Sequence, residues 1–143
     1  LMFNARTGIE LPSSLKPRQI GPVALLDPTP IIEATSAKPG LKLKGMLKWS
    51  MAHKPSHLTS SLRSGLPVWM AYQAIQRGWP LTLVVAPNQI SRSPSDRQPI
   101  LLELWGLAQE RIVTASFEER DDYVRQCAPI LTIDHILTNT VPE

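Results

Sequence analysis

Cysteine is almost missing from this chain: Cys127 stands alone among 143 residues. A single thiol closes no internal disulfide and supplies no cysteine metal cluster, which fits a reducing, cytoplasmic setting. Long hydrophobic runs are missing too, since no stretch approaches the roughly 18–20 apolar residues of a membrane-crossing helix. Glycine is scarce, with seven residues, and none falls in a P-loop, a G-x-G-x-x-G fingerprint or a G-x-S-x-G elbow. The chain begins at Leu1, as expected of a fragment or trimmed sequence, so the lack of a leader carries no weight. Acidic residues are sparse in the first two thirds. Residues 1–98 hold 12 Lys/Arg against 4 Asp/Glu, and residues 99–143 hold 3 against 8. A basic first part suits phosphate or nucleic acid; a merely dipolar surface is the alternative.

What is present reads as one α/β domain, with residues 1–19 as an irregular lead-in and 20–143 as the domain. "IGPVALLDPTPII" (Ile20–Ile32) contains a short apolar strand, Val23 to Leu26, ended by the prolines of "DPTP". "ATSAKPG" reads as a loop. "LKLKGMLKWSMAHK" (Leu41–Lys54) suits a helix with Met46, Leu47 and Met51 on one face and lysines on the other. In "SGLPVWMAYQAIQRGWPLTLVVAP", Pro67 opens a helix, Val68, Ala71, Tyr72 and Ile75 make a buried stripe, and Gly78 stops it. Leu81 to Val85 reads as a strand buried on both faces. "APNQISRSPSDRQP" is a loop and Pro99 opens the next helix. "SFEE" (Ser116–Glu119) is a capping box that starts a helix to about Gln126. "APILTIDHIL" is predicted to close the chain as a strand, which would put Asp134 and His135 on opposite faces.

Several patterns bear on chemistry. Lys48, Lys54 and Arg63 lie among hydroxyls near Trp49, which suits DNA-backbone contact with some stacking; an ordinary basic surface with Trp49 in the core is the equal alternative. His53 and His57 are four apart, but Pro55 sits between them and no third ligand follows, so a solvated basic loop is the better reading. Glu118, Glu119, Asp121 and Asp122 read first as a solvated helix start favoured by the dipole; metal binding or hydrolysis is the sharper alternative.

Three stretches, in order, resemble the N-terminal domain of ParB-type partition proteins, the ParB/sulfiredoxin superfamily: "IGPVALLDPTP", "SGLPVWMAYQAIQRGWPLTLVV" and "ILLELWGLAQERIVTASFEERDDYV". The resemblance spans about residues 20–125 and implies a small mixed sheet with flanking helices. Gly65 stands where the family's Gly-Glu-Arg-Arg turn grips phosphate, with Leu66, Pro67 and Val68 in place of its charged residues. Arg111 falls where a second motif carries its arginine, with Leu107 and Ala108 replacing that motif's Glu-Asn. The residues after Val124, "APILTIDHIL" among them, are not expected to form the helix-turn-helix of partition proteins. Such stand-alone versions resemble plasmid fertility-inhibition factors of the Osa and FiwA kind, which block transfer of DNA through conjugative or type IV secretion systems.

For that group the resemblance implies ATP hydrolysis and DNA cleavage, with ATP or CTP and a divalent metal as cofactors. It implies DNA and type IV secretion coupling or recruitment proteins as partners, and a bacterial cytoplasmic location beside the inner membrane. Gly65 and Arg111 match family motif positions; with them, Ser64 and Arg63 are read as holding nucleotide phosphate. Lys48, Lys54 and Arg63 would follow DNA. Arg111, Glu118 and Glu119 would serve hydrolysis. Two other readings stay open: a partition-type DNA clamp without cleavage, and an interaction module docking through Trp49, Trp69 and an apolar face.

Overall fold

The structure, a computed structural model, describes residues 17–32 and 41–143. Within them the chain alternates strand and helix. The apolar runs Val23–Leu25 and Leu81–Val85 form strands, and segments opened by Pro67, Pro99 and Ser116 form helices.

Strands β1 (Arg18–Ile20) and β2 (Val23–Leu25) run beside β5 (His53–Pro55) and β6 (Leu58–Ser60). All pairings are parallel, and Arg18 faces His53 as Leu25 faces Ser60. The register therefore stays constant across the break at Gly21–Pro22, where Ser56 N–H donates to the Ile20 carbonyl and Val23 N–H to that of His57. Next come β7 (Leu81–Val85) and β8 (Glu110–Val113), giving a parallel sheet in the order β2-β6-β7-β8. A two-residue parallel pair, β3 (Ile31–Ile32) with β4 (Leu41–Lys42), lies apart. The expected α/β class holds. Every described strand pair is parallel, so the sheet is not the small mixed one that the resemblance implied.

Parallel neighbours need crossover connections, and helices supply them. These are α1 (Leu43–Ala52), α2 (Leu66–Arg77), α3 (Gln98–Leu107) and α4 (Phe117–Cys127). Alternate residues of each strand feed opposite faces. Val23, Leu25, Leu81, Leu83 and Val85 join one core with Met46 and Trp49 of α1, Met70 and Ala71 of α2, and Leu104 of α3. Ala24, Leu26 and Val84 join a second, smaller core with Val124 of α4. A strand order that advances steadily keeps its crossovers on one face, and α4 lies on the other because it returns toward the first strand.

That return ends beside β2. Ala24 N–H donates to the Pro129 carbonyl, and Leu131 N–H donates to the Ala24 carbonyl. Only Ile130 forms a bridge there, so the predicted closing strand is one residue long. The chain then enters α5 (Ile133–Thr138). Thr132 caps it, with His135 Nδ1 accepting the Thr132 N–H at 3.1 Å. Asp134 and His135 thus lie on a helix, not on a strand.

Other expectations sit as read. Of the expected α2 stripe, Val68, Ala71 and Tyr72 are buried and Ile75 is half-buried; Gly78 ends the helix at φ 72°, and Leu81 to Val85 is buried throughout. Ser116 Oγ accepts the Glu119 N–H at 3.1 Å, while Glu119 Oε2 accepts from Ala115 N–H at 3.3 Å. Of the expected lead-in, residues 1–16 lie outside the described residues, and Arg18 and Gln19 belong to β1. The expected loop 34–40 also lies outside them.

Candidate functional site

In a parallel sheet every strand ends at the same edge, and ligands bind outside those carboxyl ends where neighbouring connections part to opposite faces. Here they part between β7, which leads to α3, and β8, which leads to α4. Three non-helical backbone positions with positive φ lie on this edge: Leu62 (56°), Gly65 (90°) and Asn88 (61°). Strain of that kind gathers where the surroundings over-determine the chain. Ser60 Oγ does part of this work, donating to the Pro67 carbonyl at 2.8 Å and accepting from Leu62 N–H at 3.2 Å.

Two adjoining hollows open on the edge and share Pro28, Leu62, Ser64 and Ser93. The first, about 420 Å³, is walled by Pro30, Val68, Trp69, Ile100 and Leu101, with Asp96 and Arg97 on its lining. Arg97 Nη1 donates to Ser64 Oγ at 2.8 Å. The second, about 520 Å³, is lined by Arg63, Arg92, Arg120 and Asp121, beside Gln89 and Phe117. One hollow is thus mainly apolar with an aromatic wall, and the other is cationic.

Arg120 is buried and fully engaged on one side. Its Nε and Nη2 reach Asp121 Oδ1 at 2.9 and 2.8 Å, and its Nη1 donates to Gln89 Oε1 at 2.9 Å. Its guanidinium carbon lies 4.9 Å from the Phe117 ring centroid. Gln89 also takes the Ala86 N–H on Oε1 (2.9 Å) and donates Nε2 to the Ser61 carbonyl (2.8 Å). The side chains of Arg63, half-buried, and Arg92, exposed, have no hydrogen-bond or ion-pair partner among the described residues.

The structure brings only some of the sequence candidates together. Arg63, Ser64 and Gly65 line the two hollows. The amides of the α2 first turn are already used: Leu66 N–H goes to the Thr29 carbonyl at 2.8 Å, Pro67 has none, and Val68 N–H returns to the Gly65 carbonyl. Charge at this edge therefore comes from arginine side chains rather than from a free helix terminus. Arg111 lies exposed on β8 opposite Leu83, outside the lining of both hollows. Glu118 and Glu119 are exposed at the start of α4 and line neither hollow, and Glu119 is occupied in capping.

Lys48 and Lys54 are exposed. Lys54 and Arg63, grouped by the sequence, sit at opposite ends of the β5–β6 run, which is about 25 Å long at ~3.3 Å per residue. Trp49 is 0% exposed, and its Nε1 donates to the Thr140 carbonyl at 2.7 Å. It is a core residue and not a stacking platform or a docking contact. His53 Nε2 meets the Asn139 carbonyl and His57 Nε2 meets Thr82 Oγ1. Among the described residues no group of three or more His, Cys, Asp or Glu side chains is placed to hold a metal ion. The divalent metal implied by the resemblance thus finds no such donor set there.

In the sequence, Arg92 and Arg97 read as part of a polar loop and Arg120 as part of a solvated helix start. The available signal was a count: two arginines in "SRSPSDRQ" and one in "FEERDD", each just past a strand. No described helix is long and apolar enough to cross a membrane. No protein-family model, no curated protein and no solved structure matches the chain.

Proposed function

We propose that this domain binds a nucleotide at the carboxyl edge of its sheet, with the base in the hollow walled by Trp69 and the phosphates in the hollow of Arg63, Arg92 and Arg120. The observation that carries this reading is the junction of two hollows of opposite character at this edge, over the connections that follow β2, β6 and β7. A planar apolar ring and an oligophosphate are the two halves of one such ligand. Ser64, with Arg97 held on it, stands between them. ATP and CTP are the nucleotides to try, because the resemblance to ParB-type and fertility-inhibition proteins points to them. In that setting nucleotide binding would control an interaction with DNA or with the machinery of plasmid transfer.

The reading is one of binding rather than cleavage. What converges at the edge is cations, whereas Glu118 and Glu119 stay outside the hollows. Calorimetric titration of ATP and CTP into the wild type and Arg63→Ala tests it. Saturable binding by the wild type, weakened in Arg63→Ala and falling with added salt, is expected. A folded wild type that binds neither nucleotide at millimolar concentration would overturn it. The transfer role is tested separately, by expressing the protein in a plasmid donor strain and counting transconjugants.

A further inference from the structure

Resting on that reading of the edge, we infer that Arg120 is a preset two-point contact for a phosphoryl group of the ligand, and that Gln89 is the positioning residue that sets it. Arg120 is the unusual member of the arginine group. Its side chain is only 5% exposed, yet it lines the cationic hollow. A guanidinium so placed must have its charge and its donors met. It carries five N–H donors in a fixed plane. Among the described residues three are spent, two on Asp121 and one on Gln89. One N–H remains on each terminal nitrogen. Two donors on neighbouring nitrogens of a planar fork match two oxygens of one phosphoryl group.

The fork cannot swing to find its ligand. Asp121 holds one side, the guanidinium lies over the Phe117 ring, and Gln89 holds Nη1. Gln89 ties three elements by one side chain: the end of β6 through the Ser61 carbonyl, the end of β7 through Ala86 N–H, and α4 through Arg120. The amide is required for this set. Glutamate would keep the acceptor, lose the donor to Ser61, and place a second negative charge on Arg120. Arg63 and Arg92, without partners among the described residues, are free to close on the same group from the rim. Three cations against the one carboxylate of Asp121 leave a surplus of positive charge, which suits a dianionic phosphoryl group better than a phosphodiester.

The test compares ATP with adenosine, and CTP with cytidine, on the wild type, Gln89→Glu and Arg120→Lys. Calorimetry follows the triphosphates, and shifts of the Trp69 indole resonance follow the nucleosides. Arg120→Lys keeps the charge and removes the planar fork, so it supports the test if Gln89→Glu folds poorly. Both variants are expected to lose about tenfold or more in triphosphate affinity, as the loss of charge-assisted hydrogen bonds dictates, with nucleoside affinity within about twofold. An unchanged ratio of triphosphate to nucleoside affinity in either folded variant overturns the inference. A parallel fall of both affinities does so too, because it reduces Gln89 to a structural brace. A wild type that binds neither triphosphate nor nucleoside fails earlier and removes the site reading itself.

Discussion

Gly65→Ala should be among the most damaging small substitutions in this protein, and the reason can be separated into parts. Gly65 sits at φ 90°, ψ −129°, immediately before α2. A Cβ built there would stand 2.1 Å from the Thr29 carbonyl oxygen and 2.8 Å from its carbon. Both are backbone atoms, so no side chain can step aside. The same carbonyl accepts the Leu66 N–H at 2.8 Å, and moving it away breaks or stretches that bond. The backbone conformation costs about 1–3 kcal/mol for a residue with a Cβ, and the lost hydrogen bond about 1 kcal/mol. A total near 2–4 kcal/mol follows, a large share of the ~5–15 kcal/mol that holds a domain of this kind together.

Gly78 provides the internal control. It too has positive φ, 72°, but a Cβ there would meet nothing within 4 Å. Gly78→Ala should therefore cost only the left-handed conformation, about 1–2 kcal/mol. Urea denaturation of the two variants, followed by far-ultraviolet circular dichroism, measures the difference. If Gly65→Ala is no less stable than Gly78→Ala, the close approach of the β2 and β6 loops does not constrain this edge, and the account of the turn is wrong.

Other expectations follow from single contacts. Trp49→Ala removes a fully buried ring and its bond to Thr140, so it should cost about 3–5 kcal/mol in the same denaturation assay. Ser116→Ala removes the α4 cap and should cost about 1 kcal/mol. Arg111→Ala, on the exposed edge strand, should change stability by less than about 0.5 kcal/mol and leave ATP and CTP titrations as in the wild type. Cys127 is exposed, but partial desolvation, opposed by a hydrogen bond from Thr59 and reinforced by Glu110, pushes its thiol up. The thiolate is the reactive form, so iodoacetamide should label native Cys127 more slowly at pH 8 than the urea-unfolded chain, with the gap narrowing as pH rises.

Much of the fold was legible because its signals are local. Pro67, the stripe Val68-Ala71-Tyr72 and Gly78 sit within one helix, and Ser116 with Glu119 within one turn. The closing segment misled for a local reason as well. Ile130 to Ile133 reads as a β-branched and apolar run, and the cap that turns it into α5 uses His135 where glutamate or glutamine is the usual sign. The site was hidden for the opposite reason. Arg120 looks like one more charge in "FEERDD" until Gln89, 31 positions earlier, takes its Nη1. Likewise Lys54 and Arg63 look like neighbours in a basic stretch, and the extended strand between them carries them to opposite ends. Linear proximity reports helix faces well and strand ends badly.

The short contact of Ala24 with Pro129 and Leu131 has a consequence for shortened versions of the chain. Both hydrogen-bonding groups of Ala24 that face away from β6 are taken up by that segment. It works as a guard rail on the first strand, pinned from behind where Trp49 holds Thr140. Ending the chain at Cys127 would remove the rail and its anchor together. The sheet would then offer a bare, apolar margin at β2 to any passing strand, and such trimming should yield self-association before it yields unfolding.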